Sequence, residues 1–250
     1  MKDEKKKKGF AKAFKQDISR EDDIAIEKWE VKKGQSLLMN PVRREIFRYL
    51  CEFPCNHLSG ISRDLGITPP TTNWHLKKMI ERDLVATKKI SGKSIFFPTN
   101  MIEDDDIEIL SLINDDKVKH IFLTILNGPG LSQKEISDEL KIQHQTVIWF
   151  TNKLENVGLI STIEDGKYKR YYPTSKLSEL SDLHITRMKA FREWVIKALK
   201  YDGIDPEVIR STDKFILFKV SIGKDKTTLE LPTNPFLTVL GLKKDHLLGG

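Results

Sequence analysis

An internal repeat is the feature of this chain that most constrains its fold. When residues 42–100 are laid over residues 117–175 without gaps, 14 of the 59 paired positions are identical. The identities include Ile46/Ile121, Phe47/Phe122, Pro54/Pro129, Ile61/Ile136, Leu65/Leu140, Trp74/Trp149, Leu84/Leu159 and Pro98/Pro173. An ungapped match of this length is improbable between unrelated segments. The chain therefore contains two copies of one small domain.

Each copy presents the same order of structural signals. A helix with apolar residues at helical spacing comes first, and a short second helix follows it. Ser59 and Ser132 are expected to cap these second helices, and Glu135 would complete a capping box with Ser132. A short turn leads into a third helix, and then a hairpin turns at residues 91–93 or at residues 165–166. Two helices, a turn, a third helix and a two-stranded wing form a winged helix-turn-helix.

These signals predict a mainly α-helical chain with small β-wings, an α+β fold. Two tandem winged helix-turn-helix domains precede a long C-terminal helix and a β-hairpin region. The expected divisions are a basic, partly disordered N-terminal arm at 1–39, the first winged helix at 40–100, an acidic connector at 101–116, the second winged helix at 117–175 and a C-terminal region at 176–250.

The C-terminal region begins with an amphipathic helix expected at residues 176–200. Its apolar stripe repeats every three or four residues. The stripe consists of Leu177, Leu180, His184, Met188, Phe191, Val195 and Ala198. Such a helix either packs on its own domain or pairs with a second subunit, and we expect a homodimer. A hairpin expected to turn at residues 223–226 follows, and this last part could serve as an effector or partner module.

Charge is distributed unevenly along the chain, whose net charge is +6. Residues 101–116 contain seven acidic and no basic side chains, whereas residues 41–99 contain ten basic and five acidic ones. A basic excess favours a polyanionic partner, and the acidic connector is expected to face away from a phosphate backbone. The lysine-rich start of the chain is expected to be disordered and to add non-specific affinity for DNA.

Motifs of other function classes are weak. Cys51, Cys55 and His57 have the spacing C-x3-C-x-H, but zinc sites in proteins usually take four ligands, and Cys51 aligns with an apolar position of the second copy. The segment "SGKS" at 91–94 lacks the glycine that a phosphate-binding loop requires at position 87. We therefore expect no metal, no cofactor and no enzymatic activity. The lack of a long apolar run and the presence of only two cysteines predict a cytoplasmic protein without a membrane partner.

The third helix of the first copy is the expected reader of DNA. A recognition helix buries one stripe, here expected to be Thr72, Leu76, Met79 and Ile80, and presents the other to the major groove. The residues expected to contact the groove are Pro70, Thr71, Asn73, Trp74, Lys77 and Lys78. The expected phosphate contacts are Arg43, Arg44, Arg63, Lys88, Lys89 and Lys93.

The second copy offers a less convincing set of DNA contacts. Its third helix supplies Gln143, Gln145, Thr146, Trp149, Asn152 and Lys153, and its wing supplies Lys167, Tyr168, Lys169 and Arg170. Thr151 occupies the position of Leu76, so a shift of the buried register is expected. The apolar run Ile148, Trp149 and Phe150 leaves a second interpretation open, in which this surface binds a dimer partner or another protein.

Trp74 and Trp149 occupy the same position in the two copies, and both are expected on the exposed side of the third helix. Three interpretations remain open for them. Each ring could pack along its own wing or the preceding helix, contact the methyl groups of bases, or contact a protein.

The stretch "ITPPTTNWHLKKMIERDLVATKKISGKSIFF" resembles the recognition helix and wing of ArsR/MarR-type transcriptional regulators. In those families a Thr/Ser-rich start, an "HLKKL"-like core and a "GLV" exit lead into the wing. The tandem arrangement in a chain rich in Lys, Ile and Glu is similar to archaeal two-winged-helix regulators, among them the archaellum-operon regulators of euryarchaea. This resemblance implies a DNA-binding regulator.

The expected function is sequence-specific binding of double-stranded promoter DNA by a transcription regulator. Its recognition helices would enter the major groove, and its wings would contact the backbone or the minor groove. The alternative is a protein-interaction scaffold of the transcription machinery, in which the second winged helix binds a protein such as a general transcription factor. A small-molecule or metal sensor is a third hypothesis.

Overall fold

The computed structural model describes residues 37–90, 92–212, 214–222 and 225–241, except for the side chains of Ile222 and Asp225. The N-terminal arm up to residue 36, with the disorder expected there, lies outside the described residues. So do parts of two expected turns, at Ser91 and at residues 223–224, and the tail from residue 242.

The described part begins with a short 3-10 helix at Leu37–Met39. The α-helices are α1 (Pro41–Glu52), α2 (Leu58–Leu65), α3 (Pro69–Ile80), α4 (Asp104–Ile113), α5 (Asp116–Asn127), α6 (Gln133–Leu140), α7 (His144–Asn156), α8 (Lys176–Tyr201) and α9 (Pro235–Thr238). The strands are β1 (Asn56–His57), β2 (Val85–Ile90), β3 (Lys93–Pro98), β4 (Leu131–Ser132), β5 (Ile160–Asp165), β6 (Tyr168–Pro173), β7 (Asp205–Ser211), β8 (Phe215–Ile222) and β9 (Asp225–Pro232).

The repeat in the sequence is present in the fold with the same offset. A step of 75 residues carries α1 onto α5, α2 onto α6, β2 onto β5 and β3 onto β6 without a shift at either end. Each copy forms a three-stranded antiparallel sheet, in the order β1-β3-β2 or β4-β6-β5. The strands β1 and β4 have two residues each, too few for a sequence pattern to indicate. The α+β class and the two winged helix-turn-helix domains are confirmed.

The first core lies between α1, α3 and one face of the first wing, the hairpin of β2 and β3. Ile46 and Phe47 of α1 are fully buried there with Leu76 of α3. The sheet of β7, β8 and β9 closes the same core with Phe218 and Leu231. Strand β7 was not expected from the sequence, because its residues show no alternation of apolar and polar side chains. In the structure nearly all of its side chains are exposed, which explains the missing alternation. This C-terminal sheet therefore completes the first winged helix.

The first wing contributes to two cores at once. Side chains alternate across its strands, so Val85 and Phe96 face the first core while Ile95 and Phe97 face the second. The second core also contains residues of α4, α5 and α7. The first wing is therefore a wall that the two winged helices share.

Helix α8 follows the predicted span closely, and its apolar stripe is buried inside the chain except at Ala198, which is half-buried while Leu199 is buried instead. Leu177 and Leu180 join the second core, whereas Met188, Phe191 and Val195 join the first. Of the two roles expected for this helix, the structure shows packing on its own chain. A homodimer would have to use a different surface.

The acidic connector contains α4, whose first turn is Asp104, Asp105 and Asp106. Asp106 is buried, and the Arg187 guanidinium of α8 donates a hydrogen bond to its carboxylate at 2.6 Å. The Asp104 carboxylate lies 3.0 Å from the Lys88 ammonium of the first wing. The connector was expected to face away from a phosphate backbone. Its Asp104 carboxylate nevertheless pairs with Lys88, which was predicted to contact a phosphate.

The second helices of the two copies begin differently. The Ser132 hydroxyl accepts from the Glu135 backbone N–H at 3.4 Å, and the Ser132 N–H donates to the Glu135 carboxylate at 2.7 Å, so the expected capping box is confirmed. In the first copy α2 begins at Leu58 and its N-cap is His57, which makes no side-chain cap bond. The expectation for Ser59 is wrong, because the helix starts directly after β1 and leaves Ser59 inside its first turn.

Replacing Ser132 with alanine is expected to lower the free energy of unfolding by about 1 kcal/mol, since the Glu135 N–H loses its acceptor. Urea unfolding followed by circular dichroism measures this loss. Ser59→Ala is the matched control, because Ser59 is exposed and caps nothing, and its expected change is within about 0.5 kcal/mol. Equal losses in the two variants would contradict the capping role of Ser132.

Candidate nucleic-acid interface

Helix α3 is held by a buried row on one side. Thr72, Leu76 and Met79 are fully buried, as expected. Ile80 is only half-buried, and His75 takes the fourth buried position instead. Burial and the neighbouring Arg43 guanidinium lower the pKa of His75 to about 4, so its imidazole is neutral at pH 7. The helix is thus fixed to its domain along an uncharged face.

The opposite row of α3 contains the residues predicted to contact the groove. Pro70 and Lys77 are exposed, and Thr71, Asn73, Trp74 and Lys78 are half-buried. Lys78 pairs with Glu81 at 3.0 Å, whereas Lys77 has no ion pair with any residue that the structure describes. Lys77 is therefore the cation on this helix that is available to a phosphate or a base.

Arg43 departs from its predicted role as a phosphate contact. Its side chain is buried, and its guanidinium carbon lies 6.0 Å from the centre of the Trp74 ring. Its Nε has no hydrogen-bond partner among the described residues. Burial lowers the pKa of Arg43, and the Asp202 carboxylate opposes this in part. Arg43 therefore lies beside Trp74 inside the domain, so the half-buried Trp74 ring contacts a side chain of α1 in its own winged helix.

The other predicted phosphate contacts of the first copy lie on or near the surface. Arg63, Lys88, Lys89 and Lys93 are exposed, and Arg44 is half-buried. Arg63 pairs with Asp64 at 2.8 Å and Lys88 with Asp104 at 3.0 Å. Lys89 and Lys93 have no ion pair within the described ranges, so they are the more available cations of the first wing.

Helix α7 keeps the buried register of α3. Thr151 is fully buried at the position of Leu76, and its hydroxyl donates to the Val147 carbonyl at 2.9 Å. The predicted shift of register is wrong, because this hydrogen bond satisfies the hydroxyl within the core. Phe150 is buried as well, so the apolar run is not exposed along its length. Of that run, Trp149 is the exposed member, at 53%.

Most predicted contacts of α7 reach solvent. Gln143, Gln145, Trp149 and Asn152 are exposed, and Thr146 and Lys153 are half-buried. The Lys153 ammonium lies 3.5 Å from the centre of the Trp149 ring, which meets the Phe150 ring nearly edge-on. This cation–π contact orients Lys153 across the tryptophan. The two tryptophans therefore differ, because Trp74 is largely covered by its own domain and Trp149 is not.

The second wing presents Lys167, Tyr168 and Lys169 on its surface, as predicted. Arg170 is held at the base of the wing instead. Its guanidinium pairs with the Asp165 carboxylate at 2.6 Å and donates to the Gly130 carbonyl at 3.0 Å. Arg170 was predicted to contact DNA, but in the structure its guanidinium joins β6 to the end of β5 and to the loop that precedes β4.

A cavity of about 440 Å³ lies between the two winged helices. Its walls come from the first wing, from the α4–α5 connection and from α7. Its lining includes Ile90, Lys93, Glu108, Leu112, Trp149 and Lys153. The sequence indicated the two lysines and the tryptophan as DNA contacts, but no local pattern joins them to Glu108 and Leu112. Only the packing of the shared wing brings these groups together.

Other chemistry is limited in the part of the chain that the structure describes. Within it, no three His, Cys, Asp or Glu side chains form a group that could hold a metal ion. Cys51 and Cys55 are buried free thiols, and burial raises the pKa of each. Among the described helices, none is long and apolar enough to cross a membrane.

Two family models match the chain, one in each copy of the repeat. Residues 40–87 match the family described as bacterial regulatory protein, arsR family. Residues 114–161 match the family described as winged helix-turn-helix DNA-binding. The chain contains two tandem winged helix-turn-helix domains, each of which is matched by its own family model.

A curated relative of this tandem winged helix-turn-helix protein is an uncharacterized HTH-type transcriptional regulator of Methanocaldococcus jannaschii. The two are 33% identical over 138 residues, which are 55% of this chain and 34% of the relative. The chain therefore spans about a third of the length of that relative.

Two solved structures also align with parts of the tandem winged helix-turn-helix protein. The crystal structure of MarR shares 19% identity and covers 39% of this chain and 73% of its own, with a TM-score of 0.27. The DIP2311 protein from Corynebacterium diphtheriae shares 13% identity and covers 55% of this chain and 27% of its own, with a TM-score of 0.22. Scores this low support no argument about fold or function.

Proposed function

We propose that this protein is a transcription regulator that binds double-stranded DNA in a sequence-specific manner. The observation that carries the proposal is the geometry of α3. The helix is fixed by a fully buried row, while Asn73 and Lys77 lie on the opposite row. A helix held in this way can enter the major groove without rearrangement of its side chains.

Three side chains of that row, Asn73, Lys77 and Thr71, have distinct proposed partners on DNA. The Asn73 amide matches the paired donor and acceptor that an adenine presents in the major groove. The Lys77 ammonium would bind a guanine edge or a phosphate, and Thr71 a thymine methyl or a phosphate. Lys89 and Lys93 of the first wing would bind the backbone, because neither has an ion pair within the described part of the chain.

The second winged helix is proposed to extend the bound site. Gln143 and Gln145 at the start of α7 and Lys167 and Lys169 in the second wing are exposed for this purpose. A homodimer would double the number of readers again and raise specificity without any single strong contact. Because α8 buries its stripe within the chain, this dimer would form through another face.

Selection of random duplex DNA on the purified protein is the test, with Asn73→Ala/Lys77→Ala run beside the wild type. Wild-type protein is expected to enrich a defined motif. The double variant is expected to bind that motif about 10- to 100-fold more weakly, since one base contact and one backbone contact are lost. The matched control is Asn127→Ala/Lys189→Ala, which alters exposed residues outside the proposed interface and should leave affinity unchanged. Enrichment of nothing above a salt-sensitive background would overturn the proposal.

The second candidate function is protein binding by the second winged helix, for instance to a general transcription factor. The exposed Trp149 ring favours it, since aromatic side chains are enriched at protein interfaces. Gln145→Ala/Lys167→Ala separates the two functions. If the second copy reads DNA, this variant shortens the selected motif, whereas an unchanged motif supports the protein-binding function.

A further inference from the structure

The cavity between the two winged helices holds charged groups without charged partners. Lys93 of the first wing, Lys153 of α7 and Glu108 of α4 all line it. None of the three forms an ion pair with a residue that the structure describes, although opposite charges share one cavity. Its volume of about 440 Å³ is within the range of small-molecule sites, which often lie at domain interfaces.

The remaining lining gives the cavity a flat apolar side. Ile90 of the first wing and Leu112 of α4 line it together with Trp149. Trp149 is 53% exposed, the Phe150 ring meets it nearly edge-on, and the Lys153 ammonium lies 3.5 Å from its ring centre and covers part of one face. An exposed indole beside aliphatic side chains suits a planar apolar group.

The positive charge of the cavity resides on the lysines. His57 also lines the cavity, and burial together with the Lys93 ammonium lowers the pKa of His57 below its usual value. His57 is therefore neutral at pH 7 and adds no third cation. Lys93 and Lys153 thus supply the positive charge of the lining and Glu108 supplies a carboxylate, while the Asp115 carboxylate on the same lining caps α5 by accepting two backbone N–H groups.

We infer that this cavity is a binding site for a small amphoteric molecule with a flat apolar part, of which a free aromatic amino acid is the simplest example. Its carboxylate would bind Lys93 and Lys153, its ammonium would bind Glu108, and its ring would lie between the aliphatic wall and the part of the Trp149 indole that Lys153 leaves uncovered. A purely anionic ligand would leave Glu108 facing it unpaired. A purely cationic ligand would leave Lys93 and Lys153 without an anionic partner.

Binding at this site would act on DNA binding, a step that rests on the proposed function. Two walls of the cavity, the first wing and α7, are elements proposed to contact DNA, and Lys93 is assigned to a DNA phosphate in that proposal, so a bound ligand would compete with DNA for its ammonium. A ligand that joins these walls changes the affinity for DNA if it prefers one spacing of the two elements. DNA must then change the affinity for the ligand by the same factor.

Isothermal titration of the full chain without DNA tests the site directly. L-tryptophan and L-phenylalanine are the amphoteric probes, 3-phenylpropionate is the anionic probe and phenethylamine is the cationic probe. The expected result is one site per chain for at least one amino acid, with each singly charged probe at least about tenfold weaker. The inference would be overturned if none of the four probes binds at millimolar concentration. It would also be overturned if the singly charged probes bind as tightly as the amino acids.

Three variants check that the heat comes from this cavity. Glu108→Gln removes the ammonium partner and is expected to raise the Kd for the amino acid about tenfold. Glu155→Gln is its matched control, because Glu155 is exposed on α7 outside the cavity lining, and it should leave the Kd unchanged. Leu112→Trp fills the cavity and should abolish binding while the circular dichroism spectrum stays native. Equal Kd values for the two glutamate variants would exclude Glu108 as a contact. Because these titrations contain no DNA, their outcome does not depend on whether the regulator proposal holds.

Discussion

Replacing Arg187 with methionine is expected to lower the free energy of unfolding at pH 7 by about 3–5 kcal/mol. The Arg187 guanidinium is the partner of the Asp106 carboxylate, which is 2% exposed. Without it, a charged carboxylate would remain buried among apolar side chains of α4. Burial already raises the pKa of Asp106 even though Arg187 opposes that shift. The loss comes from the unpaired charge, so it is larger than the net contribution of the ion pair.

Urea unfolding measures this loss, and Lys189→Met is the control, because Lys189 is exposed on the same helix. In Asp106→Leu/Arg187→Met both charges are absent, and stability is expected to return close to that of the wild type. The deficit of the single variant should also shrink as the pH falls below 7, since protonation neutralises the carboxylate. A deficit under about 1 kcal/mol at pH 7 would show that water solvates Asp106 in the variant.

Acid is expected to weaken the wild-type protein through His184, by roughly 3 kcal/mol between pH 6.5 and pH 4. His184 is fully buried in α8, with the Phe236 ring 5.7 Å away and edge-on. Burial lowers its pKa from 6.5 to about 4, and the backbone of Thr233 offsets only part of this effect. The unfolded chain therefore binds a proton near pH 6.5 that the folded chain accepts only near pH 4. The stability that neutral His184 contributes to the folded protein is fully present above pH 6.5. It declines as the pH falls towards 4 and changes no further well below pH 4.

Unfolding free energies of wild type and His184→Leu across this pH range measure the effect. Between pH 6.5 and pH 4, the free energy of unfolding should fall by roughly 3 kcal/mol less in His184→Leu than in the wild type. A residual slope should remain from His75, whose pKa burial also lowers to about 4. His120→Leu is the control, because His120 is exposed on α5 and its replacement should leave the wild-type slope. Parallel curves for wild type and His184→Leu would show that His184 is not the source.

Features with a local pattern were predictable from the sequence. The order of helices and hairpin and the stripe of α8 are encoded in neighbouring residues, so periodicity and turn signals indicate them. The 75-residue offset follows from comparing one copy of that local pattern with the other. The capping box at Ser132 belongs to the same class, since its two members are three residues apart. The amphipathic pattern of α3 likewise placed Asn73 and Lys77 on the row opposite the buried one.

Features that depend on long-range contacts were not predictable. Arg43 and Arg170 were predicted to contact DNA because they are basic residues of the winged helices. Arg43, however, is buried beside Trp74, and Arg170 pairs with the Asp165 carboxylate. Thr151 suggested a shifted helix, because its buried hydrogen bond to Val147 is not visible in a pattern of apolar residues. The cavity belongs to this class too, because its walls come from three separate parts of the chain.

The shared wing has a consequence for how the two repeats melt. Ile95 and Phe97 are buried against the second copy, so a first copy cut off at the connector would place both side chains in water. Neither repeat then buries its full apolar surface alone, and opening of one removes stabilising contacts from the other. The two repeats, although separable by sequence, are therefore expected to unfold together as one cooperative unit.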